Sequence, residues 1–277
     1  MEYQFDLVGK IGSMALIRQE DQEIDYNIFS RLGADLKPGM IWVTSGATEI
    51  GRLDYIKRTG RELNGDPEQD KTDYSSQGQA ILMQNYRQFI RPEYGVRQIL
   101  VEHTHFNDPE KREHIRQLLV RAALQNTIPI INYNDPVSDE ENRKMELAAR
   151  RRLGGEVHEC VDNDETAAVI AGLVRARMLV LMTSTEGIYR EKGNPDSLVR
   201  EVSGKNFAEV ERKVRALQES CIGASRAGAN GARAKLEYAL SCVRGGTTVV
   251  IGHARHHLAD LAEGRVPCTR IGITGSL

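Results

Sequence analysis

Cysteine is scarce: Cys160, Cys221, Cys242 and Cys268 are scattered, with no CxxC pair among them. That argues against both a zinc site and a disulfide framework, and fits a reducing compartment. Neither sign of charge is in excess, since 37 Lys and Arg stand against 39 Asp and Glu for a formal net charge of −2. A global basic field of the kind that concentrates nucleic acid is therefore absent, although a local cationic pocket remains open. No stretch approaches the ~20 consecutive apolar residues that span a bilayer. The opening MEYQFDLVGKIGSMALIRQEDQE carries acids before a short mixed stretch and has no apolar h-region of a secretory signal. These absences predict a cytoplasmic protein with neither nucleic acid nor membrane as partner. GxxxxGK[ST], HExxH, GxSxG and a full EF-hand loop are also missing. His103, His105, His253, His256 and His257 show no helical i, i+4 ligand pair with an acid, so no metal ligands are assigned.

What is present is a composition of 40% hydrophobic and 27% charged residues, enough for a sizeable core. At 277 residues the chain reads as one large domain spanning 1–277. Short apolar runs recur at FDLVGKI, MIWVTS (Met40 to Ser45), VRQILVEH (Val96 to His103), TIPIIN (Thr127 to Asn132), MLVLMTS (Met178 to Ser184) and TTVVIG (Thr247 to Gly252). Several lack strict alternation, as strands covered on both faces do. Between them lie helical segments: SSQGQAILMQNYRQFI, DPEKREHIRQLLVRAALQN, DETAAVIAGLVRAR, FAEVERKVRALQESC and ARAKLEYALSCVRGG. RTGRELNGDPEQDKTD, Arg58 to Asp73, reads as a polar loop, and REKGNPDS as a surface turn. Strands alternating with helices imply a mostly parallel, doubly wound sheet, which binds ligands beyond the carboxyl ends of its strands.

Polar clusters fall at those ends. GKIGS (Gly9 to Ser13) and TSGATEIG (Thr44 to Gly51) both combine glycines with a strand terminus, where backbone N–H groups can approach an anion. A strand-to-loop turn with a solvated lysine, and Ser45 as a helix N-cap, are the plainer readings of the same residues. IPIINYND places Asn132, Asn134 and Asp135 after an apolar run, and Asp162, Asn163 and Asp164 precede an alanine-rich stretch. Either knot could be Asx turns and caps. GANGARAKLEYA puts Lys235 early in a helix, opposing its dipole, a mild cost that a bound phosphate would offset.

Taken in order, GKIGS, WVTSGATEIG, IPIINYND, the DND of VDNDETAA, LMTSTEGIY and GANGARAK resemble the amino-acid kinase family, and within it the glutamate 5-kinases that open proline biosynthesis. The resemblance covers nearly the whole chain. It implies a three-layer α/β/α sandwich with a mostly parallel central sheet, an acceptor-binding part over about 1–165 and a nucleotide-binding part over about 166–277. It implies a kinase that uses ATP and Mg²⁺ to phosphorylate the side-chain carboxylate of glutamate or a related small acid. Lys10 and Lys235 would flank the phosphoryl group in transit, with Asp164 orienting both. Ser45, Gly46, Asn132, Asp135 and Asn163 would hold the amino-acid substrate, and Gly12, Thr183, Ser184, Ala229, Asn230, Gly231 and Lys235 the nucleotide. A dimer or tetramer is the family expectation, and the chain stops after TRIGITGSL without the C-terminal RNA-modification-type domain of many relatives. Three stretches depart from the family pattern: Thr183-Ser184 stands where T-D is common, Gly228 to Ala232 reads GANGA where GTGGM is common, and REHIRQLLVR (Arg112 to Arg121) replaces the usual Asn-Ala-Arg stretch before the fourth strand. Rival readings are a sibling kinase acting on a phosphate monoester or nucleoside monophosphate, and a catalytically silent nucleotide-binding or storage relative.

Overall fold

The computed structural model describes residues 3–138, 140–154, 157–160, 162–191, 194–220 and 231–275. In chain order its first strands are β1 (Phe5–Ile11), β2 (Ile17–Arg18), β3 (Glu23–Ile24), β4 (Met40–Thr44) and β5 (Gly95–Val101). Then come β6 (Thr127–Tyr133), β7 (Ala176–Thr183), β8 (Glu201–Gly204), β9 (Thr248–His253) and β10 (Cys268–Ile273). The helices are α1 (Tyr26–Asp35), α2 (Ala47–Thr59), α3 (Pro67–Phe89), α4 (His103–Asn107) and α5 (Pro109–Leu124). After them follow α6 (Glu140–Leu153), α7 (Asn163–Leu173), α8 (Phe207–Ser220), α9 (Gly231–Arg244) and α10 (Leu258–Ala262). The chain divides into two compact units, one made of Met1–Ile11, Gly39–Val43 and Asp164–Leu277, the other of Gly12–Pro38 and Thr44–Asn163.

Strands of the first unit run in the order β4-β1-β7-β9-β10-β8. All its hydrogen-bonded pairs of known register are parallel except β9 with β10, which is antiparallel. β4 is buried at every position and β7 at most, which explains why MIWVT and MLVLM show no alternation. Gly9 on β1 is required by its neighbour: a Cβ there would lie 2.2 Å from the fully buried Trp42 ring. On α9, Leu236, Ala239, Leu240, Cys242 and Val243 are buried. The Cys242 thiol faces the Ala168 carbonyl at 3.7 Å, and burial pushes its pKa up to about 12.

In the second unit β5 and β6 pair in parallel, Gly95 opposite Thr127 through Val101 opposite Tyr133. Helices α2 and α3 cross with their backbones in contact. A Cβ on Gly51 would lie 1.8 Å from the Tyr74 carbonyl oxygen, and one on Gly78 1.8 Å from that of Ala47. Below the crossing, Phe29 of α1 packs edge-on against Tyr86 of α3 at 5.2 Å, and the Tyr86 and Thr44 hydroxyls share a buried 2.7 Å hydrogen bond.

The α/β class with a mostly parallel sheet is as the sequence predicts, and the five helical segments overlap α3, α5, α7, α8 and α9, although DETAAVIAGLVRAR overruns: α7 ends at Leu173 and β7 begins at Ala176. Four readings are corrected. Arg58 to Asp73 is not one loop: α3 already starts at Pro67, because the Asp66 carboxylate accepts from the Glu68 and Gln69 N–H groups and proline suits the first helical turn. Asn132 lies inside β6, not after it. The strand expected over Val96 to His103 ends at Val101, and His103 opens α4. Ser45 does not cap α2; Gly46 does, at φ +104°, a conformation glycine adopts freely. Among the described residues no helix is long and apolar enough to cross a membrane.

Candidate functional site

The first unit gathers two lysine side chains around one carboxylate. Lys10 sits near the carboxyl end of β1, its backbone opposite Leu181 of β7, so the sheet fixes the position of its Cα. Asp164 lies in the first turn of α7, and Lys235 follows Gly231 by four residues on α9. The Lys10 ammonium is 2.6 Å from Asp164 Oδ1, and the Lys235 ammonium is 2.6 Å from Oδ2. The Lys10, Lys235 and Asp164 side chains are 10%, 23% and 6% exposed, so the cluster is largely desolvated. Burial alone would raise the Asp164 pKa, but the charges of Lys10 and Lys235 and their hydrogen bonds overcome it and hold it at about 2. Two ammonium groups and one carboxylate leave one positive charge in excess. A desolvated charge is costly unless matched, so this arrangement favours an anion beside it.

Other residues of the first unit are more dispersed. Thr183 ends β7, and its hydroxyl turns back on Thr185, donating to the Thr185 carbonyl at 2.9 Å and accepting from the Thr185 N–H at 3.0 Å. Ser184 is exposed. Gly231 opens α9, whereas Ala229 and Asn230 lie outside the described residues. Glu186, which the sequence did not single out, pairs with His256 at 2.8 Å and with Arg255.

A neutral cluster in the second unit involves four side chains. Asn163 Nδ2 donates to Ser45 Oγ and to Asn132 Oδ1, both at 3.0 Å. Asn132 Nδ2 donates to Gln79 Oε1 at 2.9 Å, and Asn132 Oδ1 also accepts from the Tyr133 backbone N–H at 2.9 Å. Asp135, at the start of a 3-10 turn, pairs with Lys71 of α3 at 3.2 Å. Gly12 precedes a 3-10 turn over Ser13–Leu16 in extended conformation, its carbonyl accepting from the Ala15 N–H. The structure thus joins Ser45, Asn132 and Asn163 directly. It adds Gln79 and Lys71, both from the helix whose first turns read as loop.

Residues 7–253 match the model of the amino acid kinase family. The chain belongs to that family. Among curated relatives, it is 29% identical over 279 residues to glutamate 5-kinase 2 of Bacillus subtilis (strain 168), a match covering 93% of this chain and 66% of the relative. It is 34% identical over 154 residues to the glutamate 5-kinase of Symbiobacterium thermophilum, covering 54% of this chain and 50% of the relative. This amino acid kinase therefore spans between half and two thirds of those two relatives' lengths. Among solved structures it resembles carbamate kinase from Giardia lamblia bound to AMP-PNP, with TM-score 0.60 and 12% identity over 98% of this chain and 99% of that one. UMP kinase from Ureaplasma parvum follows, with TM-score 0.54 and 10% identity over 98% and 100%. At such identities the likeness concerns the fold of the amino acid kinases alone.

Proposed function

We propose that this amino acid kinase moves the terminal phosphoryl group of ATP to the side-chain carboxylate of glutamate or a related small acid, giving an acyl phosphate. The observation that carries the reading is the Lys10–Asp164–Lys235 cluster, with both lysines held on one buried carboxylate. Phosphoryl transfer asks little covalent chemistry of a protein; it needs reactants in line and cations facing the equatorial oxygens as charge spreads over them. Lys10 and Lys235 supply those cations. Asp164 limits their repulsion and fixes their direction, so that little reorganisation accompanies transfer. In the second unit, Ser45 and Asn163 serve the polar atoms of the acceptor, and Asp135 serves its α-ammonium in place of Lys71.

Mg²⁺ fits this chain as an ion carried by the nucleotide. Among the described residues no three His, Cys, Asp or Glu side chains gather to hold a metal, and both Asp164 oxygens face lysines. Such a magnesium would neutralise part of the phosphate charge. Gly12, Thr183, Ser184 and Gly231 belong to the same reading, as N–H and O–H donors to the nucleotide, and Gly46 as an N–H donor to the acceptor.

One observation favours a second acceptor class. Asp135 is already neutralised by Lys71, which would place a cation beside an acceptor that carries a phosphate in place of an α-ammonium. Incubating the protein with Mg·ATP and a panel of acceptors, with hydroxylamine present and ADP followed, separates the two. Hydroxamate formed with glutamate supports the carboxylate reading. ADP release with a nucleoside monophosphate and no hydroxamate replaces it, and nucleotide binding without turnover of any acceptor rejects catalysis.

A further inference from the structure

The neutral cluster has a direction. A backbone N–H can only donate, so the Tyr133 N–H fixes which end of the Asn132 amide is oxygen. Asn132 Nδ2 must then point at Gln79, which has to answer with Oε1, and Asn132 Oδ1 must receive Nδ2 of Asn163. Because Asn163 Nδ2 also donates to Ser45 Oγ, the serine hydroxyl is used as an acceptor and keeps its hydrogen for a further partner. One backbone group thereby sets the polarity of four side chains.

This order leaves two atoms unmatched. Gln79 Nε2 and Asn163 Oδ1 are buried and have no hydrogen-bond partner among the described residues. Gln79 is only 7% exposed. Leaving a buried amide donor without a partner is unfavourable, and a chain that served stability alone would end in matched groups. A methionine at 79 would remove the unmatched donor, but it would also strip Asn132 Nδ2 of its acceptor.

We propose that Gln79 is a positioning residue for the acceptor: through Asn132 it holds the Asn163 amide toward Ser45, so that Ser45 presents its hydroxyl hydrogen to an acceptor oxygen. The Gly51–Gly78 crossing makes this possible, because it brings α3 against the start of α2 one residue before Gln79. The assignment rests on the reading above, in which Ser45 and Asn163 hold the acceptor. It selects a substrate whose group at Ser45 is a hydrogen-bond acceptor, as a carboxylate oxygen is.

The test compares Gln79→Met with Gln79→Glu, the latter keeping an acceptor opposite Asn132 without the unmatched N–H. Q79M should raise the acceptor KM about ten-fold and change kcat less than about two-fold, with nucleotide affinity untouched, and Q79E should restore the KM to within about three-fold of the parent. In ¹⁵N-labelled protein, side-chain amide protons of Asn163 should exchange faster with solvent in Q79M and at the parent rate in Q79E. A parent-like acceptor KM in folded Q79M, or unchanged Asn163 exchange, overturns the role of Gln79. If the parent turns over no acceptor, the proposed activity fails, while the exchange measurement still decides whether Gln79 positions Asn163. Should Q79M not fold, Q79E decides: slow Asn163 exchange supports the assignment and fast exchange overturns it.

Discussion

The two clusters solve the problem of aiming a polar group by opposite means. In the first unit, Lys10, Asp164 and Lys235 are held by full charges, each ammonium 2.6 Å from its own carboxylate oxygen. In the second, Gln79, Asn132, Asn163 and Ser45 carry no charge and are aimed by the one-way nature of each hydrogen bond, starting from the Tyr133 N–H. Charges act at range and tolerate small displacements; amides act only in contact and only in one orientation. Strong, coarse attraction therefore suits a migrating phosphoryl group, and weak, directional contact suits telling one acceptor from another.

The largest expected effect breaks the comparison from the charged side. Lys10→Met or Lys235→Met should lower kcat by about 10²–10³-fold while the acceptor KM stays near its parent value. Steady-state kinetics with glutamate check this, and unchanged turnover in both variants refutes the role given to the lysines. From the neutral side, Gly78→Ala forces a Cβ to 1.8 Å from the Ala47 carbonyl oxygen. It should cost about 1–3 kcal/mol in denaturant unfolding. Because it also shifts Gln79, it should raise the acceptor KM and leave nucleotide affinity alone.

Acid separates the clusters too. The Asp164 pKa, about 2 against an ordinary 3.8, is depressed in the folded protein. Its stabilisation is thus fully present above pH about 4 and is lost as pH falls toward about 2, an amount of roughly 2 kcal/mol. Unfolding free energies between pH 5 and pH 2 should fall more steeply for the parent than for Asp164→Asn, by about that amount. The smallest effect is a control. Tyr86→Phe removes the buried 2.7 Å bond to Thr44 and should cost about 1 kcal/mol of stability with kinetics intact.

Much of this was legible from the chain alone. Six apolar runs with little alternation marked strands of a mostly parallel sheet, and six short motifs in order marked the family. Lys10, Asp164 and Lys235 were joined as one cluster only by the family resemblance; of the three, Lys235 alone, near a helix N-terminus, is electrostatically unusual in itself. Gln79 did not stand out. Its partner Asn132 is 53 positions away, and a glutamine on a helix of mixed composition gives no local sign of burial. The start of α3 was signalled by Asp66-Pro67 but hidden by the polar residues around it. Strand β10 escaped because CTRIGI mixes Thr, Arg and Gly with its apolar residues, and only pairing with β9 and β8 shows its place. The Lys71 contact with Asp135 crosses from a helix to a turn 64 positions on, beyond what spacing reveals.

Lys10 lies within a strand, not on a glycine-rich loop, with neighbours of the ladder on either side of it in register. With its backbone in the ladder and its ammonium on Asp164, the side chain gives up its rotamer freedom on folding. On the proposed reading, each later turnover would find the ammonium already in place, with no fraction of the affinity for nucleotide diverted to immobilising it.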